Sequence, residues 1–131
     1  MNDLTTLERE VMQKLLDGDD LVLAILREQL NVTTVSERKM TGVGFYTNFL
    51  VRSDARHASE NPSFEIGDVI AQIPGVKHGA GFLLFVRDGA LSFLEGFTYD
   101  VPWPEHIAEY QLSYVKGQRE WDCVRKRLHQ K

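Results

Sequence analysis

The chain has 131 residues, of which 43% are hydrophobic and 26% are charged, and this balance is typical of a folded globular protein rather than of a disordered or membrane-inserted one. The net charge of -4 is uneven, because residues 116–131 carry six Lys and Arg against two acids (+4) and leave -8 on residues 1–115. An acidic body repels nucleic-acid phosphates, so the composition argues against a nucleic-acid-binding protein and favours a basic protein partner.

The N-terminal residues predict neither export nor a membrane anchor. The segment MNDLTTLERE has no basic region followed by an apolar one, and no window approaches about 18 uninterrupted apolar residues. Cys123 is the only cysteine, so an intramolecular disulfide is impossible and a reducing compartment is the simplest setting. With no internal repeat or linker, we expect one cytoplasmic domain over residues 1–131.

Two helices are predicted at the N-terminus. Thr5 and Glu8 have the spacing of a capping box, and apolar residues at helical intervals extend the first helix over residues 5–17. Gly18 is expected to close this helix in a left-handed conformation. An aspartate at position 19 or 20 then caps a second helix that runs to about Leu30.

After these helices the sequence becomes rich in β-branched and aromatic residues, which favours strands. A first hairpin is predicted over residues 32–40 and 43–51, followed by a polar surface loop over residues 52–63. Further strands are expected over residues 64–73 and 110–115, and a short amphipathic helix is expected at the C-terminus around Trp121, Val124 and Leu128.

A central hairpin is predicted around Asp88-Gly89, because this pair supplies the positive φ angles of a type I′ turn. Both strands are apolar on both faces, which places them in the middle of a sheet. The whole is an α+β fold, with two N-terminal helices packed on an antiparallel sheet of about five or six strands and a short C-terminal helix. Counting outward from the turn gives the expected pairs Val86 with Leu91, Leu84 with Phe93, and Phe82 with Glu95.

Signs of catalysis or metal binding are weak. His57 with Glu60 and His106 with Glu109 share the H-x-x-E spacing of some metal sites, but this composition produces such pairs by chance. No nucleophile elbow or CxxC pair occurs, so we predict no catalytic, cofactor-binding or metal-binding residue. The alternative is a small-molecule-binding protein or small enzyme that uses histidines, His78 among them, and carboxylates in a cleft near residues 74–81.

The segment after the central hairpin combines acids with aromatic rings. Between residues 88 and 115 there are five acids and no Lys or Arg, and two prolines stiffen the loop. Aromatic residues are favoured at binding hot spots, and carboxylates among them select a basic surface. The plainer alternative is that the rings close the edge of the core while the acids are solvated. The predicted partner-binding residues are Glu95, Phe97, Tyr99, Asp100, Trp103, Glu105 and Glu109.

Residues 64–104, FEIGDVIAQIPGVKHGAGFLLFVRDGALSFLEGFTYDVPWP, resemble small stand-alone bacterial proteins that share a GFLLFV-DG-L-LEG-TY pattern and have no assigned activity. In size and charge the chain is also similar to immunity proteins, which bind and block a basic nuclease toxin. The first resemblance implies little about function, and the second transfers no residues to this chain. From the acidic aromatic segment we predict a non-enzymatic protein-binding domain, either an immunity-like inhibitor or an adaptor, that docks a basic partner. A homodimer that covers the two-sided apolar hairpin is a further possibility.

Overall fold

The computed structural model describes residues 3–58 and 60–129. Ser59, inside the predicted loop, and the last two residues of the basic tail lie outside this range. In chain order the elements are α1 (Thr6–Leu15), α2 (Leu21–Leu30), β1 (Thr33–Met40), β2 (Gly44–Val51), β3 (Phe64–Ile66), β4 (Val69–Gln72), β5 (Ala80–Arg87), β6 (Ala90–Thr98), β7 (Gln111–Tyr114) and α3 (Trp121–Leu128).

The strands form one antiparallel sheet in the order β1-β2-β6-β5-β4-β7. The short strand β3 also pairs with β5, on the edge that β4 uses, so seven strands occupy six positions. Helices α1 and α2 pack on one face of this sheet. The predicted α+β class, with two N-terminal helices on an antiparallel sheet and a short C-terminal helix, is confirmed.

Both N-terminal helices begin where their caps predict. The capping box of α1 is complete, with reciprocal hydrogen bonds between Thr5 and Glu8, and the side chain of Asp20 accepts a hydrogen bond from the backbone N–H of Val22. Helix α1 ends at Leu15, two residues earlier than predicted, although Gly18 does adopt a positive φ of 145°. None of the described helices is both long and apolar enough to cross a membrane.

The C-terminal end of α1 is held by arginine side chains. Arg119 donates to the carbonyls of Leu15 and Asp17 and forms a bidentate ion pair with Asp68, while Arg27 donates to the carbonyl of Leu16. Cations are favourable at this end because the last helical carbonyls lack intrahelical partners and carry partial negative charge. Arg119 thereby ties the segment before α3 to α1 and the sheet.

The prediction of a single strand over residues 64–73 is wrong, because this segment forms two strands, β3 and β4, which are separated by Gly67 and Asp68. A Cβ atom at Gly67 would lie 2.6 Å from Cδ1 of Leu83 and 3.2 Å from the carbonyl oxygen of Phe82, so a larger residue here would require the Leu83 side chain to move. Asp68 pairs with Arg119, and its carbonyl accepts from the backbone N–H of Val115. These contacts are tertiary and leave no local sequence signal.

The central hairpin has the predicted turn but only part of the predicted register. Asp88 and Gly89 both have positive φ, at 51° and 77°, and Val86 pairs with Leu91 as expected. Beyond this pair Ser92 is an extra residue in β6, a β-bulge that shifts every later pair by one position. The expected pairs Leu84 with Phe93 and Phe82 with Glu95 are therefore wrong, and the observed partners are Leu84 with Leu94, Phe85 with Phe93 and Leu83 with Glu95.

The bulge decides which residues enter the core. Phe82, Leu84 and Leu94 are at most 1% exposed and lie on the face covered by α1 and α2. Gln29 of α2 fixes the same hairpin, because its side-chain amide donates to the carbonyl of Gly89 at 2.8 Å and accepts from the backbone N–H of Leu91 at 2.9 Å. At the C-terminus, Val124 and Leu128 bury the apolar stripe of α3, which contacts β3.

Candidate functional site

The second face of the sheet is not covered by the helices, and we call it the open face. In each central strand the residues that alternate with the core residues point to this side. Their large side chains are half-buried rather than buried, whereas the residues facing the helices are almost fully enclosed. The open face is formed at its centre by Tyr46 of β2, Phe93, Glu95 and Phe97 of β6, and Leu83 and Phe85 of β5.

The aromatic rings of the open face contact one another across three strands. The rings of Phe85 and Phe93 are stacked, with centroids 4.2 Å apart and an interplanar angle of 17°. Tyr46 meets Phe93 edge-on at 6.0 Å. Phe97 meets Tyr99 edge-on at 5.6 Å, and Tyr99 is 44% exposed. A continuous apolar patch of this kind marks an interaction surface more often than scattered exposed residues do.

Glu95 lies among these rings with a tyrosine as its neighbour. Tyr46 is its direct cross-strand partner, and Leu83 is its partner on the other side. The nearby negative charge of Glu95 is the main cause that raises the pKa of Tyr46. Within residues 3–58 and 60–129, Glu95 forms no salt bridge. The carboxylate therefore lies beside an uncharged tyrosine and stays available to a cation.

The structure separates the predicted partner-binding residues into two groups. Glu95, Phe97 and Tyr99 lie together on the open face, followed by the exposed Asp100, which has a positive φ of 59°. The chain then turns around the end of the sheet, and Trp103 packs on the buried ring of Phe45 on the helix side.

The second group comprises Trp103, Glu105 and Glu109. Backbone hydrogen bonds hold this turn of the chain against the first hairpin, from Thr98 to Val43 and from Trp103 to Gly42, both at 2.8 Å. The seven residues therefore do not share one surface, and their role in binding stays a prediction.

Sequence reasoning did not find the aromatic centre of the open face. It placed Phe93 opposite Leu84 on one face, whereas the bulge at Ser92 turns Phe93 toward Phe85 and Tyr46 on the other. The strand pattern also suggested that both faces of the hairpin are covered. No local signal marks Ser92 as a bulge, since serine is compatible with an ordinary strand position.

The histidines named in the small-molecule alternative lie at three separate and exposed places. His57 is in the loop before β3, His78 precedes β5, and His106 is in the segment before β7. Neither H-x-x-E pair lies on a helix, and the described ranges hold no group of three or more His, Cys, Asp or Glu suited to a metal. A cleft of about 460 Å³ beside Pro74 is lined by Glu109 and Tyr110 but by none of these histidines.

Comparison of the chain with protein-family models, curated proteins and solved structures finds no match. A function is therefore inferred from the geometry and chemistry of the surfaces described above.

Proposed function

We propose that this protein is a non-enzymatic binding domain, an adaptor or an immunity-like inhibitor, that docks a basic protein on the open face of its sheet. The observation that supports this most directly is the patch of half-buried rings around Glu95 on the uncovered face. We assign the protein to the cytoplasm, since its one cysteine, Cys123, is exposed and free.

The size of the open face is sufficient for a stable interface. Six strand positions spaced by about 4.8 Å, with strands whose residues rise by about 3.3 Å, give a face of about 600–800 Å². A standard protein interface buries about 800 Å² on each partner. Phe85, Phe93 and Tyr46 supply the rigid aromatic contacts that are enriched at binding hot spots.

The charge at the centre of the patch indicates the chemistry of the partner. A docked surface removes water from Glu95, and a desolvated carboxylate is tolerated only when a cation or several donors replace that water. Tyr46 is an uncharged neighbour of Glu95 and does not neutralise it, so the partner is expected to provide a Lys or Arg at this point. In a symmetric dimer centred on this point, Glu95 would face Glu95 of a second copy, and two like charges at close range are unfavourable. A basic protein of a different kind supplies the cation that Glu95 needs and avoids this repulsion.

The proposal is tested by capture from the native lysate with wild-type protein and two matched variants, followed by mass spectrometry. Glu95→Gln keeps the shape of the side chain but removes the charge of the open face. Glu105→Gln makes the same change on the helix side, where Glu105 is exposed. We expect a basic protein that is retained by wild type and by Glu105→Gln, is released by salt, and is at least tenfold depleted with Glu95→Gln.

Two outcomes would contradict the proposal. If both variants retain the captured protein equally, the open face is ruled out as the docking surface. A concentration-dependent mass of the purified protein, abolished by Phe93→Ser and accompanied by no heterologous partner, would show that a second copy occupies this face instead.

A further inference from the structure

A cleft of about 490 Å³ lies on the helix side of the sheet, away from the open face. It is bounded by the start of α1, by the first hairpin and by residues 103–110. Its volume is within the range of about 300–1,000 Å³ that is usual for small-molecule sites. The apolar part of its wall comes from Leu7, Met40, Phe45, Trp103 and Ile107.

The aromatic part of this wall is fixed before any ligand binds. Phe45 is 5% exposed and lies over Gly96, where a Cβ atom would come within 2.3 Å of the ring. Trp103 meets Phe45 edge-on with centroids 5.0 Å apart, and its backbone N–H donates to the carbonyl of Gly42 at 2.8 Å. Phe45 holds the partly exposed ring of Trp103 in place, so this ring can receive an apolar or cationic group without an ordering cost.

The positive charge in the cleft is already balanced. Arg38 donates to both carboxylate oxygens of Glu8, at 2.8 Å and 2.6 Å, and Glu8 is only 2% exposed. Thr47 donates to the same carboxylate. The Glu8 and Arg38 pair is therefore neutral as a unit and forms part of the floor of the cleft.

Apart from the paired Glu8 and Arg38, the charged side chain that lines the cleft is an acid, and a second acid lies just outside it. Glu105 lines it and is exposed, and Glu10 accepts a hydrogen bond from the hydroxyl of Tyr110, which also lines it. Burial first, and then Glu10, raises the pKa of Tyr110 to about 12, so this hydroxyl keeps its proton at neutral pH. Arg38 is the only Lys or Arg among the described lining residues. The cleft therefore combines aromatic walls with acidic groups at its rim.

We propose that this cleft binds a small organic cation, an amine that carries an apolar or aromatic body. The body would lie against Trp103 and Phe45, and the cationic nitrogen would be held near Glu105 and Glu10. Aromatic rings attract cations through their negative faces, and the nearby carboxylates add to this attraction. Phe45 and Glu95 are on opposite faces of the sheet, because Phe45 pairs with Gly96 while Glu95 pairs with Tyr46. The site is thus independent of the proposed docking surface.

The test uses two probes with similar bodies and opposite charges, phenethylamine and phenylacetate. Each is titrated into the full ¹⁵N-labelled protein while the indole N–H resonances of the two tryptophans are followed. We expect phenethylamine to shift the resonance of Trp103 in a saturable manner and to leave that of Trp121 unchanged. Phenylacetate should bind at least tenfold more weakly.

Charge variants decide whether the acidic rim selects the amine. Glu105→Gln should raise the dissociation constant of phenethylamine about threefold, and Glu10→Gln with Glu105→Gln should raise it about tenfold. Glu95→Gln is the matched control on the open face and should change nothing. The proposal is overturned if phenylacetate binds as tightly as phenethylamine, if Trp103 does not respond, or if the double variant binds phenethylamine like wild type.

Discussion

The two faces of the sheet are formed by the same strands, but they differ in how their polar groups are paired and how far their rings are buried. On the covered face, polar groups among the core residues are fully paired, as Glu8 is with Arg38 and Gln29 is with the central hairpin. On the open face the rings contact one another but remain half-buried around Glu95. We therefore expect the covered face to carry most of the stability of the fold, and we propose the open face as the surface that binds a partner.

The largest expected contrast is between two phenylalanines of β5. Phe82 is 1% exposed on the covered face, whereas Phe85 lies half-buried on the open face. Phe82→Ala should lower the free energy of unfolding by about 3–5 kcal/mol, because it removes a buried ring and leaves a cavity. Phe85→Ala should lower it by only about 1 kcal/mol, since part of the ring is already in water. Urea unfolding followed by circular dichroism measures both, and equal losses would refute the contrast.

The second prediction concerns the hydrogen bonds of Gln29. Gln29→Leu replaces the amide with an apolar side chain of similar size and leaves the backbone N–H of Leu91 without its acceptor. A buried donor without a partner costs about 1–3 kcal/mol, and we expect a loss of about 2–3 kcal/mol in unfolding free energy. Gln13→Leu, at an exposed position of α1, is the matched control and should change stability by less than about 0.5 kcal/mol. If both variants behave alike, the hairpin does not depend on Gln29.

The third prediction concerns Glu8 on the covered face and how its contribution to stability depends on pH. Burial, the largest influence on Glu8, raises the pKa of its carboxyl, but the hydrogen bonds from Arg38, Thr47 and Thr5 together bring it below the ordinary value of 4.5. The folded protein therefore binds this proton less readily than the unfolded chain. The ionised carboxylate stabilises the fold above pH 4.5, and this contribution is lost as the pH falls through the lowered pKa.

Glu8→Gln should accordingly cost about 2 kcal/mol at pH 7, and the difference from wild type should shrink as unfolding is measured at successively lower pH below 4.5. Glu10→Gln, at an exposed position of the same helix, serves as the control. A difference that is constant from neutral to acidic pH would mean that the charge of Glu8 does not contribute.

The smallest effect on stability is expected on the open face. Glu95→Gln should change the free energy of unfolding by less than about 0.5 kcal/mol. It should nevertheless lower the pKa of Tyr46 toward its ordinary value of 10.0, because the charge of Glu95 is the main cause of the rise. Titration of the tyrosine ring resonances by NMR measures this, with Tyr110 as an internal reference beside Glu10. An unchanged pKa of Tyr46 would show that the two side chains do not interact.

Features that depend on a few neighbouring residues could be predicted from the sequence. The capping box of Thr5 and Glu8 and the type I′ turn at Asp88-Gly89 are local, and both are confirmed. The bulge at Ser92 and the interruption at Gly67 depend on packing against other strands, and neither has a local pattern. The sequence therefore predicted the architecture of the fold but misassigned Phe93.

The candidate site was predictable only in part for the same reason. Three of the predicted partner-binding residues, Glu95, Phe97 and Tyr99, lie on one face, because they alternate along the end of one strand and the residues just after it. Trp103 and Glu105 were grouped with them, but the turn of the chain around the sheet takes these residues to the helix side. The composition shows that this segment is acidic and aromatic. It does not show which of its residues lie on the open face and which lie on the helix side.

The most direct test of this account compares stability and partner binding in one variant, Phe85→Ser with Phe93→Ser. The account predicts that the double variant remains folded, with a loss of about 1–3 kcal/mol in unfolding free energy, and that it no longer retains the basic partner captured by wild type. Retention of that partner at wild-type level by the folded double variant would contradict the assignment of binding to the open face.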